Sequence, residues 1–294
     1  MSTCPVSVII PTYNRALFLQ RAIDSVCNQS LGCAEIIVVD DGSTDDTKEL
    51  LSAMKAKSKT PIISIHTDNQ GVAAARNLGI NKSQYDIIAF LDSDDHWNRK
   101  KIEKQYKEFI KQKQYQICYT KERWLRRGEH LNQKRKHIPR HGDIFSQCLE
   151  LCSVGTSTVM GRKSLFERRG NFDEMMECCE DYDLWLRVSA RHEFLLIDEP
   201  LNVKEGGRDD QLSYIYRLGM DERRIYSIEK LLSSGSLQLI QYNLAMREFE
   251  KKILIYANGC LKHGKLEESS KYLKLLRSHK DKKSNVYNFP ENFK

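Results

Sequence analysis

The 294-residue sequence has no run approaching the roughly eighteen apolar residues that a membrane-spanning helix requires, which excludes a span of that kind. Its first residues, MSTCPVSVIIP, carry no basic segment ahead of the short apolar run, so that run reads as a strand and not as a leader. The expectation is a cytoplasmic protein, with at most peripheral attachment at the inner face of a membrane. None of the nine cysteines forms a CxxC pair or a regular zinc spacing. All nine are expected as free thiols in a reducing compartment, adjacent Cys178 and Cys179 included. No GxGxxG follows the first apolar run and no GxxxxGK[ST] occurs, so the dinucleotide fingerprint and the P-loop are both absent. The formal charge of +7 resides mostly beyond the first hundred residues, in clusters at 99–113, 121–140 and 271–283. Aromatic residues do not alternate with these charges as stacking platforms would, so nucleic acid is not the expected partner. Each cluster reads first as a solvated face, and second as attraction to an anionic membrane surface or a phosphorylated acceptor.

What is present centres on residues 86–97, DIIAFLDSDDHW. An unbroken apolar run, Ile87 to Leu91, leads into Asp92, Asp94 and Asp95. Such a run suits a strand buried on both faces, as in parallel sheets. Three carboxylates at its end raise one another's pKa unless a cation sits between them. Asp92 and Asp94, two apart, share one face of extended backbone. A hard divalent ion, Mg²⁺ or Mn²⁺, takes one or two carboxylates and completes its shell with water and substrate phosphates. An EF-hand fits worse, because His96 and Trp97 stand where it needs Asp and Gly. His96 itself reads as structural.

Along the chain, residues 6–11 form a first strand, and Asn14 reads as the N-cap of a helix bearing Leu19, Ile23 and Val26. Residues 35–39 form the second strand, ending in Asp40-Asp41-Gly42-Ser43, and the helix that follows carries Asp45 and Asp46 in its first turn. A short strand at 62–65, a helix at 71–80 and the strand before Asp92 complete a right-handed parallel α/β unit. Ligands bind such sheets at the carboxyl ends of the strands, which puts Tyr13, Asp41 and Asp92 to Asp95 on one rim. Further on, the sequence predicts a charged helix at 99–113 and strands at 116–119, 156–160 and 194–197. A largely buried helix opens at Glu180-Asp181, and Gly206-Gly207 mark a flexible loop. Residues 124–140 have no assignable pattern. From about Asp210 the pattern is helical, with a stretch at 255–276 resembling one tetratricopeptide helix pair, and disorder is expected after Ser278.

Four elements together resemble the family-2 nucleotide-sugar glycosyltransferases of GT-A fold: SVIIPTYNR (7–15), VVDDGSTDDT (38–47), GVAAARNLG with LDSDD (71–79 and 91–95), and EDYDLWLR (180–187). The resemblance implies an α/β fold, a GT-A-like, Rossmann-type, mostly parallel mixed sheet flanked by helices. That transferase domain would span 1–209, with a helical C-terminal extension at 210–294 whose last fifteen or so residues are disordered. It also implies roles. Pro11, Thr12 and Tyr13 line the nucleotide pocket, and Asp41 accepts hydrogen bonds from a pyrimidine. Arg76 lies beside the phosphates or sugar. Asp94, with Asp92, ligates the metal, Mn²⁺ or Mg²⁺. Asp92 or Asp95 binds ribose and sugar, and Glu180 belongs to the substrate side. Asp181 corresponds to the general base of inverting members. The function implied is transfer from a nucleotide-diphosphate sugar, a UDP-sugar, to a glycan, glycolipid or protein hydroxyl. A response-regulator receiver would begin at the VVDD strand and is disfavoured. A non-catalytic scaffold with a degenerate site is disfavoured by intact Asp41, Asp94 and Asp181. Arg208 stands where related sequences often carry His, and reads as a solvated loop residue.

Overall fold

The structure, a computed structural model, describes residues 2–286. The chain divides into two compact units, Met1–Arg217 and Leu218–Lys294. The first contains β1 (Thr3–Thr12), α1 (Ala16–Cys27), β2 (Gly32–Asp40), α2 (Thr47–Lys57), β3 (Ile62–His66), α3 (Val72–Lys82), β4 (Ile87–Phe90) and β5 (His96–Trp97). There follow α4 (Lys101–Lys111), β6 (Ile117–Arg126), β7 (Glu129–Leu131), α5 (Phe145–Glu150), β8 (Met160–Arg162), α6 (Lys163–Arg169), α7 (Glu180–Ser189), β9 (Leu195–Gly206) and α8 (Leu212–Ile215).

The strands form one mixed sheet in the order β3-β2-β1-β4-β8-β6-β9-β5, with β7 paired to β6. β3, β2, β1 and β4 run parallel, as expected for strands alternating with helices. Their apolar runs, such as Val8 to Ile10, Ile36 to Val39 and Ile88 to Leu91, are buried on both faces. On one face α3 sits close to β1, because Gly79 offers no side chain: a Cβ there would come within 2.4 Å of Ile9 Cγ2. Arg76, one turn earlier on α3, is thereby held at the carboxyl ends of the strands.

The second half of the sheet departs from the sequence reading. β9 runs on to Gly206, well beyond Ile197, because it pairs parallel to β6 from Cys118↔Leu195 to Arg126↔Gly206. Residues 124–140 contain the end of β6 and a hairpin to β7, turned by Arg127 and Gly128 at positive φ. A 3₁₀ turn follows at Arg135–His137. The strand expected at 156–160 is instead a 3₁₀ turn, Thr156–Thr158, followed by β8. The Thr158 hydroxyl bonds locally, to the Gly155 carbonyl at 2.6 Å, and so competes with strand pairing.

The second unit is α9 (Met220–Ser233), α10 (Leu239–Lys262) and α11 (Leu266–Val286). Ile225, Ile228, Phe249, Ile253 and Tyr272 are among its buried residues, and Gly264 at φ +73° turns α10 into α11. The expected helix pair at 255–276 is thus part of a longer hairpin. Helix α11 continues past Ser278 to Val286, and residues 287–294 lie outside the described residues. Among the described residues no helix is long and apolar enough to cross a membrane.

Candidate active site

The exit loops of β1 and β2 are stitched together. The Asn14 N–H donates to Ser43 Oγ at 2.9 Å, and Asn14 Oδ1 accepts from the Thr44 N–H at 2.8 Å. Asn14 therefore does not cap α1; Arg15 stands at that position, and the Ala16 N–H is met by Asp45 Oδ2 at 3.0 Å. Pro11 and Thr12 are buried, while the Tyr13 ring is 45% exposed on the rim. Asp41 is buried. Its Oδ1 accepts the Gln70 N–H at 2.9 Å and its Oδ2 the Gly71 N–H at 2.8 Å, closing the amino end of α3. Burial pushes its carboxyl up, and those backbone donors pull it back. The sequence reading had not anticipated this capping task.

The turn after β4 is held from both sides. The Asp92 N–H donates to Ser157 Oγ at 3.0 Å. Asp95 is buried: its Oδ1 accepts the Glu205 N–H at 3.2 Å, and Asn202 Nδ2 reaches its Oδ2 at 3.4 Å. Burial, with Asp94 and Asp92 adjacent, pushes the Asp95 carboxyl well above the usual range. Asp95 thus fastens the acidic turn to β9.

Arg76 is buried, and its guanidinium is shared between two carboxylates: Asp92 Oδ1 at 2.7 Å and Glu180 Oε1. Cys179, at φ 62°, turns the chain into α7 so that Glu180 faces inward. Burial pushes the Glu180 carboxyl up to about 7, against the pull of Arg76. Asp181, partly exposed, is fixed at both oxygens: the Tyr182 N–H donates to Oδ1 at 2.7 Å, and the Cys152 thiol to Oδ2 at 3.2 Å.

One residue was misread in the sequence, and two went unread. Arg208 is not a solvated loop residue. Its guanidinium ion-pairs with Asp94 Oδ2 and lies 4.2 Å over the Phe18 ring, while Gln211 Nε2 reaches the same oxygen at 3.2 Å. Cys152, on Asp181, belongs to no motif. Lys204 is brought to the cleft by β9, and the charge of Glu122, before that of Asp95 and Asp181, raises its ammonium pKa. Only the alternation of Leu201, Asn202, Val203 and Lys204 along a strand signals it.

The donor set suits a hard divalent cation. Asp92 Oδ2 and Asp94 Oδ1 accept no hydrogen bond from the described residues, and the side chains remain 32% and 20% exposed. Among those residues no cluster of three or more His, Cys, Asp or Glu is arranged to hold a metal. Asp92 and Asp94 would supply two carboxylates, leaving the remaining coordination positions to substrate phosphates and water.

The model of the family described as "Glycosyl transferase family 2" matches residues 7–170. An uncharacterized glycosyltransferase of Rickettsia felis is 38% identical over 203 residues, covering 67% of this chain and 32% of the relative. The chain therefore spans about a third of that relative's length. Among solved structures, Staphylococcus aureus TarS 1-349 in complex with UDP-GlcNAc aligns with a TM-score of 0.74 at 20% identity, over 94% of this chain and 80% of that one. The Pyrobaculum calidifontis mannosyltransferase PcManGT, in complex with GDP-Man and Mn²⁺, aligns with a TM-score of 0.66 at 16% identity, over 93% and 75%.

Proposed function

The chain belongs to glycosyl transferase family 2, and we propose that it moves a sugar from a UDP-sugar to an acceptor hydroxyl with inversion at the anomeric carbon. The acceptor is a glycan, a glycolipid or a protein. The observation that carries this reading is Arg76, whose guanidinium joins Asp92 after β4 to Glu180 at the start of α7. That bridge brings the acidic turn and Asp181 to one cleft from distant parts of the chain.

On the donor side, Tyr13 has an open ring face for the base, beside Pro11 and Thr12. Asp41 keeps lone pairs beyond those its backbone donors use, and these suit the N–H of uracil. Asp92 and Asp94 would hold Mn²⁺ or Mg²⁺, which neutralises charge on the departing diphosphate when bound. Arg76 orients Asp92, and Asp95 keeps the turn rigid.

On the acceptor side, Asp181 takes the proton of the hydroxyl whose oxygen attacks the anomeric carbon. The new glycosidic bond forms as the bond to the diphosphate oxygen breaks, and the proton passes from Asp181 to solvent. The Tyr182 N–H and the Cys152 thiol fix the carboxylate while leaving lone pairs free. The helical second unit contains none of these residues.

The test pairs calorimetry with kinetics. UDP should bind with Mn²⁺ and lose most of its affinity to a chelator. Asp181→Asn should lower turnover by about 10²- to 10⁴-fold, the usual worth of a positioned base, with UDP affinity near wild type. Normal transfer by the variant, or a product that keeps the donor's anomeric configuration, would remove Asp181 from this role.

A further inference from the structure

We propose that the cleft face of β6 and β9, with the basic hairpin beyond it, is an acceptor subsite for an anionic glycan, one carrying phosphate or carboxylate groups along its chain. This rests on the transferase reading and gives it a class of acceptor.

The register of the two parallel strands pairs Glu122 with Asn202, Trp124 with Lys204, and Arg126 with Gly206. Alternation puts Glu122, Trp124 and Arg126 on one face of β6, and Asn202 and Lys204 on the same face of β9. Asn202 ties this face to the acidic turn, because its buried amide reaches both Asp95 and Glu122 at 3.4 Å. Glu122 also lies against Gly155, where a Cβ would stand 2.7 Å from its Oε2. Gly155 belongs to the same loop as Cys152, whose thiol holds Asp181.

Lys204 is the free cation on that floor. It is exposed, and it makes no hydrogen bond or ion pair within 4.0 Å with any described residue. Glu122, Asp95 and Asp181 lie near enough to raise its pKa, so it stays charged as the cleft titrates. Beside it Trp124 donates its Nε1–H to Glu122 Oε1 at 2.6 Å, and its ring lies 5.1 Å from that of His137. An indole next to an ammonium offers a sugar ring an apolar face and its acidic substituent a counter-charge.

Outward from Trp124 the charge is of one sign. Arg123, Arg126, Arg127, Lys134, Arg135 and Lys136 are all exposed and form no ion pair with described residues, and Glu129 is the sole acid from 123 to 140. Burial, with Lys136 and Lys134 adjacent, lowers the pKa of His137. A solvated basic loop would be unremarkable by itself. This one continues through Arg126 to Lys204 and ends at the acceptor side of Asp181. The indole beside Lys204 suits a sugar ring with an acidic substituent better than a lipid headgroup, and the run of one charge sign from Lys136 to Lys204 suits a single extended polyanion.

The full chain, with UDP and Mn²⁺ present, is titrated calorimetrically with a glycerol-phosphate oligomer, an oligogalacturonate and a neutral dextran oligomer. Phosphatidylglycerol vesicles are tested by sedimentation. One or both anionic oligomers should bind while dextran does not, and the tighter of the two identifies phosphate or carboxylate as the group recognised. Lys204→Gln, and separately the pair Arg135→Gln and Lys136→Gln, should each weaken binding by about tenfold, the ordinary worth of a charge-assisted contact. Equal binding of dextran, or unchanged affinity in both variants, overturns the subsite. Binding of vesicles without either soluble oligomer overturns it in favour of a membrane contact. UDP affinity, measured separately on each protein, reports on folding and on the donor reading, so loss of the subsite alone remains distinguishable.

Discussion

Arg76→Met tests the bridge that assembles the cleft. The substitution keeps an unbranched stem, and a thioether suits the ring of Phe172, which the guanidinium carbon now faces at 5.1 Å. What it removes is the charge shared by Asp92 and Glu180. Arg76 and Glu180 are 4% and 5% exposed, so water cannot replace the lost partner. Breaking a buried pair by deleting one member costs about 3–5 kcal/mol. The loss should depend on pH with a definite sign. Burial already raises the Glu180 carboxyl from 4.5 to about 7 with Arg76 in place, and without the guanidinium it rises further. A carboxyl raised by folding contributes its stability below its ordinary value and loses it as pH climbs through the folded one. The deficit of the variant should therefore grow between about pH 6 and 9, and a second change, Glu180→Gln, should recover much of it. Urea unfolding followed by circular dichroism at several pH values measures this. A loss below about 1 kcal/mol, or one independent of pH, would refute the bridge as described.

Three other outcomes follow from the same geometry. Asp41→Asn should reduce the preference for UDP over GDP in competition binding and also lower thermal stability, because the carboxylate that closes α3 is lost; unchanged values of both would remove Asp41 from either task. Gly79→Ala should cost about 1–3 kcal/mol in unfolding experiments despite alanine's better helix propensity, since its Cβ would overlap Ile9; a neutral result would contradict the close approach of α3 to β1. Burial lowers the pKa of Lys101, under the Trp97 ring, to about 7, so the unfolded chain binds the extra proton and wild-type stability should rise between about pH 7 and 9. Lys101→Met should flatten that rise, and an unaltered slope would place the ammonium in water.

The first four strands and the acidic turn were legible because each is a local pattern: an apolar run, then polar residues, then a helical stripe. The second half was less so, because its elements are defined by partners far along the chain. Residues 194–197 look like a whole strand until β6 is placed beside them; the polar alternation from Asp198 to Gly206 becomes strand only through that pairing. Thr156 to Met160 carries strand residues, but the Thr158 hydroxyl finds the local Gly155 carbonyl and Ser157 Oγ is taken by the Asp92 N–H. At the site, the family resemblance named Asp41, Asp92, Asp94, Asp95, Arg76, Glu180 and Asp181 as candidates, yet not their pairings. That Arg76 is buried between two acids depends on α3 lying close to the sheet, a matter of one missing side chain at Gly79. Cys152 and Lys204 stand in no motif, and the pairing of Arg208 with Asp94 became visible only with the loops and strands in place.

Charge balance links these missed residues to the chemistry. Asp92, Asp94, Asp95, Glu180, Asp181 and Glu122 crowd one cleft, a concentration of like charge that folding tolerates only with compensation. The structure compensates each differently. Asp95 is buried with its carboxyl raised well above the usual range. Arg76 serves Asp92 and Glu180 from beneath. Arg208 serves Asp94 from a segment that follows Gly206-Gly207, and Lys204 faces Glu122 and Asp181 without closing on either. The buried bridge is the rigid part of this arrangement, because moving it would strand two carboxylates. The partly exposed pairs are the exchangeable part. Under the proposed function, a divalent ion at Asp94 would free Arg208 from that carboxylate, with Asp210 still beside it, and leave the guanidinium for the diphosphate, while Lys204 stays available to the acidic acceptor proposed above. In that reading, donor and acceptor are met by cations that the protein otherwise uses to keep its own carboxylates together.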